Sequence, residues 1–296
     1  MKHLLSVWGL LPLRKITRHM YQSHFNELSK ILSRNYLDSI HTTGNMIFKH
    51  AIRQDLLRTN PTDGFVMPKK RVTVEDIEEE EIQEKFLELN ELKAFLSVAK
   101  EHGLSFDYLC FATLAYTGLR LGEMLALKWS DLDSIKKTLR ITKTYYNPNN
   151  GKTGYELLTP KTKKSIRTIM IDDGLINLFK AHRRDQMELK MKQRLVYKDQ
   201  NFIFAENTGN PMVMKQVALR LQRLMKRMNI DKHITSHSFR HTHTSLLIEA
   251  GAGIKEIQER LGHSDINTTM NIYAHMTKNI EEKTSYKFSE LTKGLL

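Results

Sequence analysis

Six side chains in the C-terminal two thirds of the chain are of types that move protons, hold anions or attack as nucleophiles. They are Arg120 in TGLRLGE, Lys161 in TPKTKKSIRTI, His237 and Arg240 in HSFRH, His263 in LGHSD, and Tyr273 in NIYAH. An arginine presents a fixed fork of donors that suits a phosphate or carboxylate. Histidine and lysine exchange protons, and a tyrosine hydroxyl can attack once its pKa near 10 is overcome. His237 precedes Arg240 by three positions, so on a helix both face one way. Taken singly each has an ordinary explanation: a surface charge, a core tyrosine, a satisfied polar histidine. A rival use of the histidines is metal binding, because His237, His241, His243, His263 and His275 are close in sequence and zinc takes imidazole. No carboxylate joins them at a known ligand spacing, and the chain has one cysteine, Cys110, so the pattern does not argue for a metal site. There is no Walker loop, so no nucleotide cofactor is expected.

The elements that would hold these residues follow from periodicity. Residues 14–57 read as two helices. Thr17 caps the first, with Met20, Phe25, Leu28 and Leu32 at helical spacing. The second opens at Asn35 or Leu37, carries Leu37, Ile40, Met46, Ile47, Ile52 and Leu56 on one side, and ends at Asn60-Pro61. A basic stretch, Pro68 to Arg71, then runs into the acidic Glu75-Asp76 and Glu78 to Glu81, which is linker composition. Beyond it, Asn90 is placed to cap a helix, a second apolar stretch runs from Phe106 to Tyr116 and stops at Thr117-Gly118, and a third helix is expected from Gly122 to Trp129. The period changes to two at Leu139–Thr142 and again at Ser165–Ile169, around the turn-rich Asn147–Gly151, which predicts a small antiparallel sheet of about three strands. From Asp173 onward the pattern is helical in four or five pieces.

The whole chain sets limits on partners. Its 296 residues fit two domains, and a 40% hydrophobic content supports a real core. The net charge of +13 points to nucleic acid, whose phosphates basic side chains neutralise. Aromatic residues are not interleaved with the basic ones, so a single-strand stacking platform gets no support. A lone cysteine suits a reducing compartment, and no apolar run reaches the roughly 18 residues of a membrane span. The apolar start, Met1 to Leu13, lacks a small-x-small cleavage site and reads as part of the fold.

Order and context make the six residues specific. Gly118-Leu119-Arg120 followed by Glu123, then His237-Ser238-Phe239-Arg240, then Leu261-Gly262-His263 ten positions ahead of Tyr273, resemble the tyrosine recombinases, or phage integrases. The match spans residues 89–278. The resemblance implies a mainly α fold: a small helical core-binding domain over residues 1–68, a charged linker over 69–88, and a catalytic domain over 89–296, mostly helical with a small antiparallel sheet. It implies site-specific cutting and rejoining of duplex DNA through a 3'-phosphotyrosine, with Tyr273 as nucleophile. Arg120 and Arg240 would hold the transition-state charge, His237 would exchange the proton of the nucleophile, His263 would bond a phosphate oxygen, and Lys161 would protonate the leaving oxygen. Lys143, Lys152, Lys163 and Lys164 crowd the same region; Lys161 is preferred because the following Ser165-x-Arg167-x-Ile169 resembles the family hairpin. Glu123 reads as structural. No metal and no cofactor are expected. The implied partners are double-stranded attachment sites bound by four protomers, with an excision factor and a host DNA-bending protein, in the bacterial cytoplasm on the nucleoid. A chromosome-dimer resolvase of the same family, or a DNA-binding relative without catalysis, are the competing readings. Pro12 to Thr17 lies almost at the start, where the family has more chain before it, so the first domain is expected to be shortened at its N-terminus.

Overall fold

The structure, a computed structural model, describes residues 2–68, 86–151, 154–160, 165–228, 230, 232–262 and 270. Its contacts divide the chain into two units, Met1–Ile82 and Gln83–Leu296. Among the described residues no helix is long and apolar enough to cross a membrane.

In the first unit the apolar start forms α1 (Lys2–Trp8), which buries Leu4 and Trp8. α2 (Arg18–Leu28) begins where expected, because the Thr17 hydroxyl accepts from the Met20 N–H at 3.2 Å. It buries Tyr21, Phe25 and Leu28, one helical face. α3 (Arg34–Arg53) answers with Leu37, Ile40, Gly44, Phe48 and Ala51. That stripe differs from the expected one: Met46 and Leu56 are exposed. Gly44 explains part of the difference, since a Cβ there would lie 2.7 Å from the Tyr21 hydroxyl. The small residue lets the tyrosine ring into the seam. α3 also stops short of Pro61, because Asp55 turns left-handed (φ 55°) and Leu56 N–H closes on the Ala51 carbonyl at 2.9 Å.

The second unit opens with α4 (Leu89–His102). Asn90 is not its cap; Glu88 N–H bonds the Glu91 carboxylate at 2.8 Å in a reciprocal box. Leu87, at the end of the stretch read as linker, is fully buried, and its N–H donates to Thr242 Oγ1. α5 (Asp107–Thr117) is buried on nearly all sides, which is why it carries little amphipathic pattern. Phe95, Phe111 and Phe239 meet around it with ring centroids 5.3–5.6 Å apart. α6 (Leu121–Leu125) is one short turn, and a 3₁₀ turn at Trp129–Asp131 follows, so the third predicted helix is broken in two.

Among the described residues five strands follow, where about three were expected. β1 (Leu132–Asp133), β2 (Thr138–Ile141) and β5 (Arg167–Met170) make an antiparallel sheet in the order β1-β2-β5, with Leu139 opposite Ile169 and Ile141 opposite Arg167. β3 (Thr144–Tyr146) pairs with β4 (Glu156–Leu158) as a separate hairpin. Strands of two or three residues are too short to show a period of two. α7 (Asp173–Lys192) is capped by Asp172, and α8 (Met214–Met225) buries Val217, Leu221 and Leu224. α9 (Ser238–Glu249) and α10 (Ile254–Leu261) complete the described fold.

Candidate active site

Arg120 stands just beyond the end of α5. The helix stops at Gly118, whose φ of 63° suits glycine and whose N–H bonds the Leu114 carbonyl. The close quarters also demand glycine: a Cβ would fall 2.5 Å from Leu261 Cδ2 and 2.7 Å from His243 Cδ2. Two residues later Arg120 precedes α6, its N–H donating to Glu123 Oε2 at 3.1 Å and its Nη1 to Oε1 at 2.9 Å. Its side chain remains 42% exposed, so the guanidinium is anchored on one edge and open to solvent.

Glu123 is shared. Arg167 donates to it through Nη2 at 2.8 Å and Nη1 at 3.3 Å, and both side chains are almost fully buried. Burial alone would raise the Glu123 pKa, but the hydrogen bonds and charge of Arg167, with Arg120 beside them, bring it below the ordinary carboxylate value. The carboxylate is thus ionised and spoken for on both oxygens. It holds two arginines and is not poised as a base, in line with its reading as a structural residue.

Arg240, in the first turn of α9, is 2% exposed. Its Nη1 donates to the Gly118 carbonyl at 2.8 Å and its Nη2 to the Leu261 carbonyl at 2.7 Å. Burial and the positive charge of Arg120 push its pKa down to about 9, and it is still a cation at neutral pH. His237 sits immediately before α9. Burial lowers its pKa, and the charges of Arg240 and Arg120 lower it further, so it is neutral near pH 7 and able to take a proton. Its ring meets that of His241 edge-on at 4.8 Å.

The structure therefore brings Arg120, His237 and Arg240 within electrostatic reach of one another, from two segments about 120 residues apart. Like charges held together in a low-dielectric wall repel unless an anion lies between them. The arrangement is suited to a phosphate. Lys161, His263 and Tyr273 lie outside the described residues.

Relatives decide what kind of protein this is. The phage integrase family pattern matches residues 85–279. The integrase of Staphylococcus phage L54a is 31% identical over 292 residues, covering 95% of this chain and 81% of that protein. The chain belongs to the phage integrase family. The ICEBs1 integrase of Bacillus subtilis is 30% identical over 98% of this chain and 75% of its own length. The XerC-like tyrosine recombinase of Caldanaerobacter subterraneus is 33% identical over 77% of this chain and 59% of its own length. The fold is also that of the Tn1549 transposon integrase solved with circular intermediate DNA, with a TM-score of 0.73 at 23% identity over 97% of this chain and 92% of that one. As a family member the chain is a site-specific DNA recombinase, an enzyme that breaks and rejoins DNA.

Two residues of this centre went unassigned in the sequence. Arg167 was visible only as part of the hairpin resemblance. Its signal was an arginine on the same face of β5 as the buried Ile169, a place that demands a counter-charge. His243 was visible only as a rival metal ligand. It is nearly buried, Nδ1 lies 2.8 Å from the Ala115 carbonyl, and Nε2 accepts from Arg260 Nε at 3.0 Å. Both nitrogens are engaged.

Proposed function

We propose that this integrase integrates or excises a mobile element by cutting and rejoining its duplex attachment sites through a 3'-phosphotyrosine, with Arg120, His237, Arg240, His263, Lys161 and Tyr273 as the catalytic set. The observation that carries the reading is the convergence of Arg120, Arg240 and a neutral His237. Two cations with directed donors fit the two non-bridging oxygens of a pentacoordinate phosphorus. Tyr273 Oη attacks phosphorus, a P–O bond to deoxyribose breaks, and the phosphotyrosine conserves the bond energy for rejoining. His237 takes the phenolic proton, Lys161 gives one to the leaving 5'-oxygen, and His263 donates to a phosphate oxygen. The reverse attack by a deoxyribose hydroxyl restores the strand and frees the tyrosine.

Four protomers act on two sites, and each of the two units contacts duplex DNA. The lambda integrase solved as a dimer on a core site, whose fold this chain shares, supports contact with duplex DNA. An excision factor and a host DNA-bending protein set direction, and the reaction takes place in the bacterial cytoplasm on the nucleoid. The integrases of phage L54a and ICEBs1 match nearly the whole chain, which favours a mobile element over chromosome-dimer resolution.

The test is a nicked suicide duplex bearing the core site from the ends of the element that encodes the chain. Wild type should form a covalent protein–DNA adduct. Tyr273→Phe should bind this duplex as tightly and form none. An adduct of normal yield with Tyr273→Phe would overturn the assignment.

A further inference from the structure

His243 and Arg260 form a contact that the reaction chemistry does not use. A carbonyl only accepts and a guanidinium only donates. With Ala115 O on one nitrogen and Arg260 Nε on the other, the imidazole must carry its proton on Nδ1 and present a bare lone pair at Nε2. Arg260 spreads its remaining donors over the Met170 carbonyl at 3.2 Å and the Tyr116 carbonyl at 3.3 Å, while its own carbonyl accepts from Arg167 Nε at 2.7 Å. One side chain thus joins the end of α5, the end of β5 and the middle of α9.

Those are the elements that aim the two candidate arginines. α5 leads through Gly118 to Arg120. α9 carries Arg240 one turn ahead of His243. α10, which carries Arg260, ends at Leu261, and the carbonyls of Gly118 and Leu261 are the acceptors of Arg240. The His243 ring also packs so closely on Gly118 that a methyl group there would collide with it.

We propose that His243 and Arg260 are a positioning pair for strand cleavage: the neutral imidazole accepts from Arg260, and together they hold the Gly118 and Leu261 carbonyls at the spacing that directs Arg240 toward the phosphate. The inference rests on the placement of Arg120 and Arg240 in the active centre. It gives neither His243 nor Arg260 a contact with the reacting atoms.

The experiment measures single-turnover cleavage of the suicide duplex and, separately, its binding by the full chain. Arg260→Met and His243→Asn should slow cleavage by about tenfold to a hundredfold, because small displacements of catalytic groups carry such penalties, while affinity changes by less than about threefold. His243→Gln, whose longer side chain can return an acceptor to Arg260, should recover most of the rate. The double variant His243→Asn/Arg260→Met should be no slower than the slower single one, as expected for two members of one contact. Should Arg260→Met lose its helical circular dichroism, the comparison of Asn with Gln at position 243 decides. In wild type the ¹⁵N shifts of the His243 ring should report the Nδ1–H tautomer; an Nε2–H ring would overturn the pair. Wild-type cleavage in both single variants, with Arg240→Ala inactive, overturns the positioning pair alone. Wild-type cleavage by Arg240→Ala overturns the assignment beneath it. Affinity and rate falling in parallel would make Arg260 a DNA contact and also overturn the proposal.

Discussion

Arg167→Met removes the guanidinium that neutralises Glu123 and leaves a stem of similar bulk in its place. The loss is countable. Glu123 gives up contacts at 2.8 and 3.3 Å, the Arg260 carbonyl gives up one at 2.7 Å, and the Ser165 carbonyl one at 3.1 Å. Removing one partner of a buried ion pair typically costs about 3–5 kcal/mol, because the survivor is left uncompensated. Here Arg120 still bonds both carboxylate oxygens, which places the ion-pair cost near the lower end. An orphaned carbonyl adds about 1 kcal/mol. With one or both carbonyls orphaned, the expected destabilisation of the second unit is therefore about 4–5 kcal/mol. The chain has two tryptophans, Trp8 and Trp129, one in each unit. Urea unfolding followed by Trp129 fluorescence in a Trp8→Phe background reads the second unit by itself. Adding Glu123→Gln to Arg167→Met removes the stranded charge and should return about 1–2 kcal/mol, since contacting residues couple by that order. A loss below about 1 kcal/mol, or one that Glu123→Gln leaves unchanged, would refute a buried ion pair that braces the Arg120 loop.

Arg120→Ala and Arg240→Ala should each slow adduct formation by roughly a hundredfold or more, the usual worth of one donor to developing negative charge; rates equal to wild type would remove them from the active centre. Burial and the positive charge of Arg260 lower the His243 pKa to about 4. The unfolded chain then takes up a proton near pH 6.5 that the folded chain refuses, so stability present above that pH is lost as pH falls toward 4. The loss should reach about 3 kcal/mol by linkage, seen as a fall in urea midpoint that His243→Gln lacks; an equal fall in both proteins would contradict it. Cleavage should persist in excess EDTA, because arginines serve where many nucleases use an ion, and activity lost to chelator and restored by zinc or magnesium would return the histidines to metal binding.

The sequence by itself determined whatever depends on a local signal or on order along the chain. Thr17 announced α2 because a cap is a short-range hydrogen bond. Gly118 announced the end of α5 because the left-handed turn is a local property. Six chemistry-bearing residues in a fixed order carried the family, since their spacing survives any uncertainty over helix ends. What only the tertiary structure decided is which of many charged residues meet. Glu123 lies 44 positions from Arg167, and Arg240 lies 122 from the carbonyl of Gly118. No period connects such pairs, and several arginines could have served. Packing also moved the boundaries: α3 ends at Arg53 because Asp55 turns left-handed well ahead of Pro61, and α4 caps itself with Glu88 and Glu91 in place of Asn90. His243 shows the division most clearly. In the sequence it was one of five histidines weighed as metal ligands and set aside, with no other partner in view; in the structure a carbonyl from α5 and a guanidinium from α10 engage both ring nitrogens, because a buried imidazole must satisfy each of them with whatever the fold brings near.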